Sequence, residues 1–162
     1  FVNTVLTNHI VHSATATGLV NDAGVPNDLF FEHYKSIAMG NPGIIIVEHA
    51  YVDIRGKARH NHISIADDST IAHHQKLVSE IRKISENVKI CCQLTFSTDS
   101  LNKVDISTAS NQQLHQTINS FYQAAQRALK ANYDFIQICA AQTTLLSESL
   151  SELKNDRSDE FN

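Results

Sequence analysis

Three short apolar runs, each entered from polar or turn-forming residues and left through side chains able to do chemistry, set the limits on this fold. They are Gly43-Ile44-Ile45-Ile46-Val47-Glu48-His49, Lys89-Ile90-Cys91-Cys92-Gln93-Leu94 and Asp134-Phe135-Ile136-Gln137-Ile138-Cys139. Their apolar cores are too short for helices and, in the first, rich in β-branched residues. A strand that is apolar at consecutive positions is covered on both faces, which is the condition inside a parallel sheet. Polar residues at the exits then collect at one end of that sheet. Open parallel sheets and barrels bind their ligands at this end.

The segments between the runs carry helical periodicity. Asn27 or Asp28 is expected to cap a helix with the stripe Phe30, Tyr34, Ile37 and Ala38, stopped by Gly40-Asn41-Pro42-Gly43. Asp68 or Ser69 caps a second helix, with Ile71, Leu77, Val78, Ile81 and Ile84 on one face. Ser110 and Gln113 form a capping box ahead of a third, whose predicted stripe is Leu114, Ile118, Phe121, Ala125 and Leu129. Ile10 to Thr15 reads as a first strand, Thr143 to Leu153 as a short helix, and Lys154 to Asn162 as a charged loop. The order β-α-β-α-β-α-β calls for parallel strands joined by right-handed crossovers.

Two α/β architectures satisfy that order: a small doubly wound sheet, or half of an eight-stranded barrel. A complete barrel takes about 250 residues, and this chain has 162, so residues 1–162 read as a single domain or part of one. With 42% hydrophobic and 19% charged residues the chain has the composition of a packed globule. Its net charge of −4 argues against nucleic acid and anionic membrane as partners. No apolar run approaches the roughly 20 residues of a membrane-spanning helix. The beginning, Phe1-Val2-Asn3-Thr4, has neither Met nor a signal-peptide pattern and reads as a trimmed start.

Cys91, Cys92 and Cys139 have no CxxC spacing and fall in or just after predicted strands. All three fit a reducing, cytoplasmic setting, and Cys91 and Cys92 fit small buried hydrophobes. His60-Asn61-His62 and His73-His74 lie on a polar loop and a polar helix face. Without neighbouring ligands at metal spacing they are expected to be solvated surface histidines, and no metal site is expected. His49 leaves a strand directly and stays open between a site role and simple packing; Glu48, at the same exit, reads as a base or as the cap of a neighbouring loop, with the loop role expected. No G-x-G-x-x-G, P-loop or G-x-S-x-G sequence occurs, which argues against Rossmann dinucleotide, kinase and hydrolase chemistry.

Taken in order, several segments resemble the old yellow enzyme family, the flavin-dependent NAD(P)H oxidoreductases built on a (β/α)8 barrel. Asn8-His9-Ile10-Val11-His12-Ser13-Ala14-Thr15-Ala16 is similar to its first strand, and Gly24-Val25-Pro26-Asn27-Asp28 to its G-x-P-[TN]-D segment. Gly40-Asn41-Pro42-Gly43-Ile44-Ile45-Ile46-Val47-Glu48 resembles G-G-V-G-L-I-I-T-E, and Gln93-Leu94 the Q-L of the third strand. Ala124-Ala125 through Asp134 resembles A-A-x-R-A-x-x-A-G-[FY]-D, and Asn155-Asp156-Arg157-Ser158-Asp159-Glu160-Phe161 resembles N-x-R-[TS]-D-E-[YF]. The implied fold is the N-terminal half of a TIM barrel, about four βα units.

The resemblance implies FMN over the strand exits, with NAD(P)H as reductant and a small-molecule acceptor such as an activated alkene. Ser13, Ala14, Thr15, Ala16 and His49 would lie beside the flavin, and Gln93 would bond its pyrimidine edge, since an amide both donates and accepts. Cys139 and Gln142 fall where the family's H-x-x-[HN] grips the acceptor's oxygen. Thr144 falls where it has a tyrosine proton donor, Ala16 where it has Thr or Cys, and Phe96-Ser97-Thr98 where it has H-A-G-R. No catalytic residue is assigned. The family's phosphate site and a basic residue near the ring come from its second half. Two functional readings follow: an FMN-dependent oxidoreductase, or a catalytically degenerate half-barrel kept for binding or assembly. Open sheet edges predict a homo-oligomer or pairing with a second barrel half.

Overall fold

The computed structural model describes residues 4–99 and 104–162. Four parallel strands form one sheet in the order β1-β2-β3-β4: Val11–His12, Ile44–Tyr51, Lys89–Thr95 and Phe135–Ile138. The crossovers carry α1, Asp28–Met39, α2, Ile71–Ile84, and α3, Asn111–Lys130; a five-residue α4, Leu145–Ser149, follows β4. Sequential parallel order with a helix in each crossover is the arrangement of half a (β/α)8 barrel.

The helices are laid against one face. Phe30, Tyr34 and Ala38 of α1, Leu77, Val78 and Ile81 of α2, and Ala124 and Ala128 of α3 share a core with Ile45 and Val47 of β2 and Ile90, Cys92 and Leu94 of β3. Alternation sends Cys91 and Gln93 to the other face, and the β3–β4 register sets Gln137 beside Gln93.

The starts of α1 and α3 agree with expectation. Asn27 caps α1 by accepting from the Phe30 N–H, and Ser110 and Gln113 form the full capping box of α3. The start of α2 does not: neither Asp68 nor Ser69 caps it, because Asp67 accepts from Ser69 N–H to open a single 3-10 turn, Asp68–Thr70, and the helix begins after Thr70 without a side-chain cap. Residues 154–162 are without helix or strand, as expected.

Four other expectations are corrected. The first strand is two residues long, because only Val11 and His12 find partners on β2 and the chain from Ser13 leaves the sheet. The helix expected over Thr143–Leu153 is the single short α4. The buried ridge of α3 is Leu114, Thr117, Ala124 and Ala128, whereas Ile118 and Leu129 are 57% and 68% exposed. Two alanines let the helix lie close to the sheet, and that approach turns the larger side chains outward. Finally, His62 and His74 are buried, not solvated. Ile63 and Ile65 carry the loop after β2 into the core, with Tyr51 N–H donating to Ile63 O at 3.0 Å and Ile65 N–H to Tyr51 O at 3.1 Å.

Candidate functional site

All four strands deliver residues to one cleft at their C-terminal ends, with a volume of about 570 Å³. Ala14, Thr15 and Ala16 come from the β1 exit, His49 from β2, Gln93 from β3, and Cys139 and Gln142 from beyond β4. Ser13, exposed, stands one residue outside the lining. Sequence reasoning missed five other lining residues: Ala58 and Arg59 from the loop after β2, Thr95 from β3, and Ala141 and Thr143 from the loop after β4.

The β1 exit is shaped by Glu48. This carboxylate is fully buried and accepts from Thr17 N–H, which ties the segment after β1 to β2. Glu48 N–H in turn donates to Tyr34 Oη at 2.8 Å, joining α1 to the same point. Burial raises the Glu48 pKa, and its Oε1 has no hydrogen-bond partner. The expected role in holding a loop matches these contacts.

At β2 the register shifts between Val47 and Ala50, so the strand bulges where it passes the cleft. His49 sits in this bulge. Its Nδ1 is 3.0 Å from Nε2 of His62, whose ring meets it edge-on at a centroid separation of 4.5 Å. Burial, then the nearby Arg59 charge, pulls the His49 pKa down to about 4. Arg59 Nη2 is itself buried without a hydrogen-bond partner.

Gln93 Nε2 donates to Gln137 Oε1 at 2.6 Å, across adjacent strands. That bond commits one amide hydrogen and leaves Gln93's carbonyl oxygen as an acceptor. The polar residue inside Phe135-Ile136-Gln137-Ile138 was the sequence signal for this partner. Beyond β4, Gln142 adopts a left-handed backbone with φ 58°, and Ser147 Oγ donates to its carbonyl oxygen at 2.5 Å. Thr144 is buried, and its hydroxyl oxygen caps α4 by accepting from Ser147 N–H at 3.2 Å. Cys139 is half-buried, whereas Cys91 and Cys92 are buried and burial pushes the Cys91 thiol up to about 11.

Among the described residues no group of three or more His, Cys, Asp or Glu side chains has the geometry to hold a metal ion. No helix among them is long and apolar enough to cross a membrane.

The chain matches the model of the NADH:flavin oxidoreductase / NADH oxidase family over residues 1–106 and 97–162. It is 32% identical over 148 residues to an NADPH dehydrogenase of Bacillus velezensis, covering 80% of this chain and 42% of the relative. An NADPH dehydrogenase of Bacillus cytotoxicus is 30% identical over 176 aligned positions, covering 98% of this chain and 50% of the relative. The chain thus spans about half the length of these relatives or less. In fold it superposes on an old yellow enzyme from a Pichia species with TM-score 0.90 at 20% identity, covering 97% of this chain and 48% of that one. An old yellow enzyme homologue from Zymomonas mobilis gives 0.88 at 19% identity, covering 99% and 52%.

Proposed function

This chain belongs to the NADH:flavin oxidoreductase / NADH oxidase family, and we propose accordingly that its cleft is the flavin-facing half of an FMN-dependent NAD(P)H oxidoreductase. One observation carries the reading: residues from the exits of all four parallel strands converge on a single cleft. Bound FMN supplies hydride transfer from NAD(P)H to a small-molecule acceptor, for which an activated alkene is the working candidate.

The lining fits the ring of such a cofactor. Ala14, Ala16, Ala58 and Ala141 offer a shallow, small-residue surface on which a flat heteroaromatic can lie. His49, Arg59 and Gln93 offer polar atoms at its rim, and the unpartnered Arg59 Nη2 is a donor still lacking an acceptor. In this reading the segment Ala14–Ala16 and His49 lie along the ring, Ser13 at its margin, and Gln93 bonds its pyrimidine edge. Cys139 and Gln142 line the acceptor pocket. Binding there orients the ring and keeps water from its covered face. In this reading the phosphate falls outside the cleft, toward the part of the barrel that the family's second half supplies.

A second reading, a catalytically degenerate half-barrel serving as a binding or assembly partner, draws support from Thr144 and Cys139. The Thr144 hydroxyl is occupied in capping α4, and a thiol at 139 is a weak donor. The visible absorption spectrum of the purified protein, before and after reconstitution with FMN, separates the two. Yellow protein with stoichiometric FMN that oxidises NADH or NADPH is the expected result. Protein that stays colourless after reconstitution overturns the oxidoreductase reading in favour of the second.

A further inference from the structure

The hydrogen bonds around His62 fix which atom of His49 carries a proton. Ala58 N–H donates to His62 Nδ1 at 3.1 Å, so that nitrogen is an acceptor and bears no hydrogen. The His62 hydrogen is therefore on Nε2, which lies 3.0 Å from both His49 O and His49 Nδ1. A hydrogen on His49 Nδ1 would collide with it. His49 is thus left as the neutral Nε2–H tautomer, with Nδ1 turned to His62 and the opposite edge of its ring toward the cleft it lines.

We propose that His49 is the neutral hydrogen-bond donor of this cleft, aimed at a carbonyl oxygen or unprotonated ring nitrogen of the bound ligand, and that His62 is the positioning residue that holds it so. His62 is fully buried and is not part of the cleft lining, so it acts through His49. The buried pair is consistent in its electrostatics: burial lowers His62 to about 3, with His49 and Arg59 adding to the effect. Arg59 and Lys57, the cations acting on this pair, both oppose a further positive charge there. The arrangement places a fixed donor on the second strand, beside the thiol of Cys139 and the amide of Gln142 beyond the fourth. The ligand class rests on the flavin reading; the tautomer does not.

The test uses the intact protein at pH 7, labelled with ¹⁵N-histidine, together with FMN titration followed by flavin fluorescence. Two substitutions keep a donor at the critical atom, His49→Gln and His62→Gln; two remove it, His49→Leu and His62→Phe. The proposal expects wild-type His49 to carry its proton on Nε2, and His62→Phe to give a mixture of tautomers. It expects FMN affinity to fall about fivefold to tenfold in His49→Leu and about threefold in His62→Phe, the scale of one neutral hydrogen bond. His49→Gln and His62→Gln should stay within about twofold of wild type. If His62→Phe does not fold, His62→Gln and the two His49 variants carry the comparison. A proton on His49 Nδ1, or wild-type affinity in His49→Leu, overturns the proposal. Wild-type protein that takes no FMN yet keeps the Nε2–H tautomer upholds the relay and overturns the flavin reading.

Discussion

His74 sits between Ser64 and Tyr133 with both ring nitrogens occupied. Its Nε2 donates to Ser64 O at 2.9 Å, and its Nδ1, at 2.8 Å, accepts from Tyr133 Oη. With His49 and His62 it makes a set of histidines whose pKa values burial lowers from 6.5 to about 4, 4 and 3 for His74, His49 and His62. Each is neutral in the folded chain and takes up a proton near pH 6.5 once unfolded. Stability is therefore full above about pH 6.5 and is lost as pH falls toward 4, because the unfolded state binds protons the native state refuses. Each histidine contributes about 1.4 kcal/mol per pH unit within that window. The urea midpoint should drop clearly between pH 7.5 and pH 5; an unchanged midpoint would contradict the burial of these rings. None of this was legible from composition, because His62 and His74 lie in stretches dominated by polar neighbours. The alternation His62-Ile63-Ser64-Ile65 was the available signal: two isoleucines one residue apart mark a segment that enters the core. His49 and Gln93 were legible, since a polar residue at the end of an apolar run has nowhere to go but the mouth of the sheet.

Among the elements, those whose starts are written in side-chain chemistry were the most legible. Asn27 and the Ser110–Gln113 box hold the N-termini predicted for them. Strand length was harder, since β1 is limited by what β2 offers and not by its own propensity. The face of α3 was misjudged because apolar size is a poor guide where Ala124 and Ala128 allow the closest approach. Between β3 and β4 one side chain does much of the joining. Asp134 Oδ2 accepts from Ile90 N–H at 2.8 Å and from Arg82 Nη2 at 3.1 Å, so it links the last two strands to α2. Asp134→Ala should cost about 2 kcal/mol in urea unfolding, the range for hydrogen bonds to a charged group. Loss of less than about 0.5 kcal/mol would show that this junction is not where the strands are held. The cleft lies at the opposite end of the sheet, so a bound flavin's spectrum should be unchanged.

At the scale of the whole molecule β1 and β4 are the edge strands of the sheet. Ile136 and Ile138 on β4 are 45% and 50% exposed. Beside them Ile118, Phe121, Leu146 and Phe161 line an apolar groove of about 300 Å³. At the other edge Ile10 and Val11 are exposed as well. The half-barrel was legible from the order of runs and helices; what covers its edges was not, because edge partners leave no periodicity in the strand they cover. The isolated 162-residue chain should self-associate, and light scattering on a size-exclusion column should give a mass above the 18.0 kDa of one copy. A sharp 18.0 kDa peak at tens of micromolar would refute this. Rows of main-chain donors and acceptors that are filled only in company make folding a reaction of higher order. The melting temperature of such a chain climbs with each dilution step undone, and a stability quoted for it carries a concentration as part of its meaning.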